Sequence, residues 1–158
     1  MKHLPKHLRP RYRYLAVELE GWPDATLERG AFQRELWYAA QNLIGDAGSA
    51  ACDLTVYGFT FEDGEGHAIV RVRHGETGRS RAVVACIDEI DGQPIRASIA
   101  GISGTVRACE EKYLGGPAEP PEERHVVFAD ADRRAHGRDE RLDVRVGDGF
   151  VGATALDT

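Results

Sequence analysis

The chain of 158 residues is poor in cysteine, in lysine and in long apolar runs. Its three cysteines, Cys52, Cys86 and Cys109, are odd in number, widely spaced and without a CxxC pair, which argues against a disulfide scaffold or a zinc site. No apolar run approaches the roughly 20 residues that span a bilayer. The basic N-terminus is not followed by the apolar segment of a secretory signal. We therefore expect a cytoplasmic protein that does not enter a membrane.

Catalytic motifs are also missing. The six histidines form no HExxH motif, and the chain has no GxSxG elbow, Walker A loop or GxGxxG fingerprint. Asp88, Glu89 and Asp91 are close enough in sequence to suit Mg²⁺, but an acidic helix end beside a turn is the commoner arrangement. We predict no catalytic residue and no metal site. A small-molecule enzyme that uses Asp88, Glu89 or His74 is the alternative.

Arginine and acidic residues are what the chain has in abundance. It carries 20 basic and 26 acidic residues, for a net charge of -6, and 17 of the 20 cations are arginine. This balance is typical of a salt-rich, halophilic cytoplasm, where acidic surfaces keep proteins soluble; GC-rich coding bias is the alternative. High salt weakens phosphate contacts by counterion release and favours the bidentate arginine fork.

The first fourteen residues form a basic arm. They contain five cations and no acid, so the rest of the chain has 15 basic and 26 acidic residues, a balance of -11. Basic arms on acidic bodies often contact phosphate backbones; a solvated terminus is the alternative. Because the arm runs into the alternating apolar residues 15–19, we predict that a strand anchors it.

Hydrophobic periodicity predicts the order β-α-β-β-α-β-α. This order is the ferredoxin-like (RRM-like) α+β arrangement, an antiparallel sheet under two helices, with an extra C-terminal helix. The predicted strands span 11–20, 54–61, 68–74 and 95–102. The predicted helices span 27–44, 81–90 and 105–114, with residues 45–49 ending the first.

Composition changes after residue 116. Residues 117–158 hold 6 basic and 10 acidic residues, few large apolar ones and a PAEPPEE segment at their head. We predict one α/β domain over 1–116 and an acidic, mostly disordered tail over 117–158, with weak strands at 126–128 and 142–147.

Two further features favour RNA binding. Arg71 and Arg73 lie two apart on the predicted third strand, so both point to one face. Residues 101–109, GISGTVRAC, place small residues and hydroxyls at a strand-to-helix junction, where exposed N–H groups attract phosphate; plain helix capping is the alternative. Tyr57, Phe59 and Phe61 alternate on one strand and could stack bases, but core packing is favoured.

Four stretches give the chain a family resemblance. They are LPKHLRPRYRYL at 4–15, GDAGSA at 45–50, RVR at 71–73 and GISGTVRAC at 101–109. In order and spacing they resemble the archaeal and eukaryotic ribonuclease P protein component 2 family, over roughly residues 1–116. The third strand, AIVRVRH at 68–74, lacks the aromatic signature of RNA-recognition motifs, so no base stacking is expected on that strand.

The resemblance implies a non-catalytic subunit of an endoribonuclease that removes the 5′ leader from precursor tRNA. The catalytic groups would belong to an RNA that uses Mg²⁺, and this chain would bind no cofactor itself. The implied partners are ribonuclease P RNA, component 3 in a heterodimer or a dimer of heterodimers, the other ribonuclease P proteins and, indirectly, precursor tRNA. A protein-interaction module without a direct RNA role is the alternative. The predicted RNA-binding residues are Lys6, Arg9, Arg11, Arg13, Arg71, Arg73, Ser103, Gly104, Thr105 and Arg107.

Overall fold

The computed structural model describes residues 4–114, 122–138, 141–154 and 156–157, which form two antiparallel sheets and three helices. The first sheet contains β1 (Tyr12–Gly21), β2 (Thr55–Glu62), β3 (Glu65–Arg73), β4 (Glu89–Ile90) and β5 (Gln93–Ser103). The helices are α1 (Arg29–Cys52), α2 (Thr77–Ala85) and α3 (Val106–Tyr113). The second sheet contains β6 (Glu122–Phe128), β7 (Ala131–Arg138), β8 (Arg141–Val146) and β9 (Gly149–Ala153). No helix in the described ranges is both long and apolar enough to span a bilayer.

The first sheet has the strand order β2-β3-β1-β5-β4, with antiparallel pairing between neighbours. This order, with α1 and α2 on one face, confirms the predicted ferredoxin-like fold. Alternate residues of β1, Leu15, Val17 and Leu19, are buried beneath the helices with Phe32 and Leu36 of α1. The apolar residues that recur every two positions in the strand therefore pack against those that recur every 3.6 positions in the helix, and together they form one core.

The first helix continues beyond its predicted end. Gly45 takes φ 71° and ψ 176°, which breaks the helix geometry, but helical residues resume and run to Cys52. The chain then turns at Asp53, whose left-handed backbone lets its N–H donate to the Ser49 carbonyl at 3.0 Å. The prediction that residues 45–49 end the helix was wrong because the glycine produces a kink rather than a stop.

The predicted helix over 81–90 was wrong at both ends, because the helix begins four residues earlier, at Thr77. The helix ends at Ala85, and Glu89–Ile90 forms β4, which pairs with the start of β5 through a turn at Asp91 and Gly92. Ile90 is buried in the core as a residue of β4, and an apolar residue at this position is equally compatible with a buried helix face, so its character did not distinguish the two.

A bulge in β2 separates the three aromatic residues of that strand. The register with β3 shifts between Val56 and Gly58. Phe59 and Phe61 therefore pack against the core under the helices, whereas Tyr57 lies on the opposite face of the sheet. The core interpretation holds for the two phenylalanines, and the prediction that all three share a face was wrong.

The third helix covers part of the opposite sheet face, which we call the open face. Cys109 of α3 is buried against Ala16 and Ile69, with Tyr113 packed at the edge of the cluster. A Cβ atom at Gly101 would lie 2.3 Å from the Tyr113 ring, so only glycine lets the helix approach this closely.

The prediction of a mostly disordered tail was wrong for the described residues beyond 121. These residues form the antiparallel meander β6-β7-β8-β9. The weak strand predicted at 126–128 lies within β6, and the one predicted at 142–147 matches β8 except for Gly147, which lies in the following turn. The sheet has a small apolar cluster of its own around Val144 and Ala135. Three of its charged side chains, Arg138, Arg141 and Asp143, pair with the first sheet rather than with solvent, which is why composition was misleading. The predicted boundary at 116 lies outside the described residues.

Candidate nucleic-acid interface

The predicted RNA-binding residues converge at one end of the first sheet, which we call the arm end. Here β1 begins and β3 and β5 end. Tyr14 is opposite Arg71 on one side and Ser103 on the other, and Tyr12 is opposite Arg73. Residues that are up to about ninety positions apart in sequence thus lie at the same edge.

The basic arm is held against the sheet, as predicted. Within the arm, Lys6–Leu8 forms a short 3-10 turn, and Arg9 Nε donates to the Leu4 carbonyl at 2.8 Å. The His74 N–H donates to the Arg11 carbonyl at 2.8 Å, which extends the β1–β3 pairing by one bond. The arm therefore leaves the sheet edge in a defined direction.

The cations of the arm are available for binding. Lys6, Arg9 and Arg11 are exposed and Arg13 is half-buried. Across the described part of the chain, no carboxylate lies within ion-pair distance of these four side chains. Arg13 shares strand parity with Leu15, so it lies on the helix-covered face, opposite to Arg71 and Arg73. The arm end therefore presents positive charge on both faces of the sheet.

Arg71 is held by its neighbours on the open face. Its Nη1 donates to the Tyr57 hydroxyl at 2.9 Å, and its Nη2 lies 3.6 Å from Asp53 Oδ2. The guanidinium also lies over the Tyr12 ring, 4.0 Å from the centroid. Its buried Nε has no hydrogen-bond partner in the described structure. These contacts make Arg71 a rigid part of the surface.

Arg73 is more accessible than Arg71. Its Nε lies 3.8 Å from the same Asp53 oxygen, and its side chain is 45% exposed against 21% for Arg71. One carboxylate is thus shared by two guanidinium groups, which leaves about one net positive charge on this part of the open face.

The start of α3 has an ordinary helix N-cap, which was the alternative to phosphate binding at this junction. The Thr105 hydroxyl accepts from the Ala108 N–H at 3.1 Å. Ser103 is buried, whereas Gly104 has open space around it. Arg107 is 88% exposed and pairs with Glu111, one helical turn further on. Burial raises the pKa of the Cys109 thiol, which therefore packs as a neutral, unreactive group.

The acidic residues near β4 gather at the surface without forming a metal site. Burial raises the pKa of the Glu35 carboxyl, and the negative charges of Glu89, Asp88 and Asp91 raise it further. In the described ranges, no three histidine, cysteine or acidic side chains are arranged to hold a metal ion. The cluster is therefore a site of mutual repulsion.

The opposite end of the first sheet, which we call the docked end, carries a buried ion-pair network that the sequence did not reveal. Asp143 of β8 is 1% exposed and accepts from Arg96 at 2.8 Å and from Arg138 at 2.6 Å. Arg138 in turn donates to Glu65 at 2.8 Å and to the Gly21 carbonyl at 2.6 Å. The second sheet is therefore joined to the first through paired charges.

This network also resolves a like-charge contact. Glu20 and Glu65 are opposite each other on β1 and β3, an arrangement that is destabilising by itself. Arg141 of the second sheet pairs with Glu20, and Arg96 Nη1 lies 3.1 Å from the same carboxylate.

Aromatic packing extends the docked end. Trp22 is 3% exposed, and its ring centroid lies 4.9 Å from that of His136 and 5.1 Å from that of Phe150. Arg145 lies over the indole at 4.5 Å. Burial lowers the pKa of His136, so the imidazole packs here in its neutral form. The alternation of residues 142–146 and the GDG turn at 147–149 were the sequence signals for this sheet.

Comparison with known proteins agrees with this architecture. A sequence model of the Rpp14/Pop5 family matches residues 13–114, which include the first sheet and all three helices. Ribonuclease P protein component 2 of Natronomonas pharaonis is 63% identical over 157 residues, covering 99% of this chain and 98% of the relative. The component 2 protein of Haloarcula marismortui is 61% identical over 159 residues, covering 99% of each.

A more distant relative matches a shorter part of the chain. Component 2 of Methanosarcina mazei is 36% identical over 114 residues, which are 72% of this chain but 93% of the relative. The second sheet lies beyond the family match, whereas the two haloarchaeal relatives align over nearly the whole chain. The extent of the family match and of these alignments shows that the chain belongs to the Rpp14/Pop5 family of ribonuclease P protein subunits.

Proposed function

We propose that this chain is a non-catalytic subunit of ribonuclease P that binds RNA phosphates at the arm end and so supports the catalytic RNA in removing the 5′ leader from precursor tRNA. The observation that carries the proposal is the convergence, at one end of a chain whose net charge is -6, of cations that have no carboxylate partner among the described residues. An acidic protein gains nothing in solubility from such a local excess of positive charge, but it needs one to approach RNA.

The mechanism is charge neutralisation. The guanidinium groups of Arg9, Arg11 and Arg13 would each contact phosphates where RNA strands crowd together, and Lys6 and Arg107 would widen the contact. Each neutralised phosphate reduces the repulsion that the folded RNA must overcome, so less Mg²⁺ is needed to hold the active RNA fold. The metal belongs to the RNA in this scheme, and the protein contributes charge and position.

A protein partner is part of the proposal. The kink at Gly45 leaves a groove of about 380 Å³ between the two parts of α1, lined by Trp37, Gln41, Ala50 and Leu54. Trp37 is 47% exposed, and its indole N–H donates to the Leu54 carbonyl at 3.0 Å, which fixes the ring. A rigid, half-exposed tryptophan is the residue type that protein interfaces use as an anchor. We assign this groove to the component 3 subunit and expect the complex in the cytoplasm.

The test is reconstitution of 5′ cleavage from the cognate ribonuclease P RNA and component 3, with and without this chain, over a range of Mg²⁺ concentrations. The decisive variant is Arg9→Gln with Arg11→Gln. Its matched control is Arg124→Gln with Arg134→Gln, which removes the same charge from exposed positions on the second sheet. We expect the chain to lower the Mg²⁺ requirement, the arm variant to raise it again, and the control to act as the unmodified chain does.

Two results would contradict the proposal. If cleavage is the same with and without the chain, the chain is not a supporting subunit, and the protein-interaction module becomes the better interpretation. If the control variant loses as much activity as the arm variant, net charge rather than the arm end governs RNA binding.

A further inference from the structure

We propose that the ring of Tyr57 is a stacking platform for one unpaired RNA base, with the adjoining phosphate bound by Arg73. The inference rests on the proposed function and deepens it, because it adds contact with a base to contact with phosphates. It concerns the open face beside α3, where Tyr12, Tyr14 and Tyr57 lie around Arg71.

Exposure singles out Tyr57 within this group. Its side chain is 48% exposed on an edge strand, whereas Tyr12 and Tyr14 are only half-exposed or less and pack against their neighbours. The bulge between Val56 and Gly58 is what turns this ring away from the core. Bulges are over-represented at sheet edges and beside functional sites, where they redirect a side chain.

The platform is held rigidly. Arg71 donates to the Tyr57 hydroxyl at 2.9 Å, and Asp53 holds Arg71 from the other side at 3.6 Å. The Tyr14 ring meets that of Tyr57 edge-on, with centroids 5.9 Å apart and planes at 87°. A ring fixed in this way loses little side-chain entropy when a base stacks on it. Arg71 is thus a positioning residue, and Arg73 is the one placed to reach a phosphate.

Charge decides which class of ligand fits. A cluster of tyrosines could also hold a ligand cation, but this one already contains the Arg71 guanidinium, 4.0 Å from the Tyr12 centroid and 5.3 Å from that of Tyr57. A second cation would be repelled. A neutral base attached to a negative phosphate has the complementary charge, and every base offers a π-face. Arg11 of the arm, which has no ion-pair partner among the described residues, directly precedes Tyr12 and adds positive charge beside this cluster.

The experiment measures binding of the full chain to two single-stranded probes, a decamer of uridylate and a ribose-phosphate decamer of the same length without bases. The variants are Tyr57→Leu, which removes the ring, and Tyr57→Phe, which keeps the ring and loses only the hydroxyl. Tyr38→Leu is the matched control, because Tyr38 is 58% exposed on α1, away from the open face. Arg73→Gln tests the phosphate contact.

We expect Tyr57→Leu to weaken uridylate binding by about 5- to 150-fold, the range for one base on one aromatic ring, and to leave the abasic probe unaffected. Tyr57→Phe should retain most of the affinity, and Tyr38→Leu all of it. Arg73→Gln should weaken both probes and reduce the slope of log K against log salt by about 0.7, the value for one single-strand phosphate.

Equal losses on both probes in Tyr57→Leu would overturn the inference and leave the proposed function intact, because the ring would then only hold Arg71 in place. Tight uridylate binding that does not change in Tyr57→Leu would overturn it as well. If the unmodified chain binds neither probe and does not lower the Mg²⁺ requirement of cleavage, the proposed function fails with it. Competition by an acidic peptide that depends on Tyr57, without RNA binding, would assign the surface to a protein partner instead.

Discussion

The two ends of the first sheet use arginine in opposite ways. At the docked end, Arg96, Arg138 and Arg141 are locked among carboxylates, and the most buried pair, Arg138 with Asp143, is almost inaccessible to solvent. At the arm end, the arginines of the arm have no acidic partner among residues 4–114. Solvent exposure and pairing, rather than the number of arginines, therefore separate a structural charge from one available to a ligand.

The comparison also shows why the docked end needs the second sheet. With only the first sheet present, Glu20 and Glu65 would still be opposite each other on β1 and β3, and Glu20 would keep its contact with Arg96. The arginines of β7 and β8 complete the neutralisation. A sheet end with an excess of negative charge thus becomes a binding surface for another part of the same chain.

The largest expected effect comes from Asp143→Ala at the docked end. The substitution leaves Arg138 buried without its closest carboxylate, and breaking a buried pair in this way costs about 3–5 kcal/mol. Denaturant unfolding of the full chain should show this loss, and limited proteolysis should cut within 122–153 first. Glu123→Ala is the control, because it removes an exposed pair with Arg134 and should cost about 1 kcal/mol or less. Equal losses in the two variants would show that the network does not hold the second sheet in place.

A smaller loss is expected from Gly101→Ala, nearer the arm end. The new methyl group would overlap the Tyr113 ring, so α3 must move away from the sheet, at a cost of about 1–3 kcal/mol. Gly104→Ala is the matched control, since nothing lies within 4 Å of a Cβ there. Thermal unfolding of both variants measures the difference. If the two midpoints agree, the close approach of α3 is not required for stability.

The two faces of the arm end can be separated by salt dependence. Arg13→Gln removes a cation from the helix-covered face, and Arg73→Gln removes one from the open face. If RNA wraps the sheet edge, each variant should reduce the slope of log K against log salt by about 0.7–0.9, with the cognate RNA as ligand. A change in only one variant would restrict the RNA to that face.

The smallest effect concerns pH at the docked end. Because the pKa of His136 is lower in the folded chain than the ordinary value of about 6.5, the unfolded chain binds more protons between the two values. Stability is therefore complete above about pH 6.5 and decreases as pH falls through the folded pKa. Arg138, Arg134 and Arg145 add to the lowering, whereas Glu123 opposes it. His136→Gln should flatten the pH dependence of the unfolding midpoint below about pH 6.5; an unchanged slope would assign the effect to carboxylates.

Sequence patterns predicted the first sheet well because its residues report burial directly. Leu15, Val17 and Leu19 alternate, and the strand they belong to lies where the pattern places it. The convergence of Arg71 and Arg73 with the arm followed from strand order. The bulge that moves Tyr57 to the open face could not be predicted, because a one-residue shift of register leaves no trace in composition.

The second sheet was missed for a different reason. Its charged residues have the composition of a solvated tail, and the partners of Arg138 and Arg141, Glu20 and Glu65, lie in another part of the sequence. A method that counts charges within a segment cannot detect neutralisation from outside that segment. The alternation of apolar and polar residues over 142–146 indicated a strand correctly. The prediction of disorder gave more weight to the net charge of -4 over residues 117–158.

The contacts of the docked end also determine when it can form. Arg138 reaches Gly21 across 117 positions and Arg141 reaches Glu20 across 121, so these contacts close very long loops. The ribosome synthesises the chain from its N-terminus, so all residues of the arm end are present once synthesis has reached about Tyr113. At that stage Arg141, the distant partner of Glu20, has not yet been synthesised. The end that we assign to RNA can thus assemble before the protein is fully synthesised, and the second sheet closes the fold last.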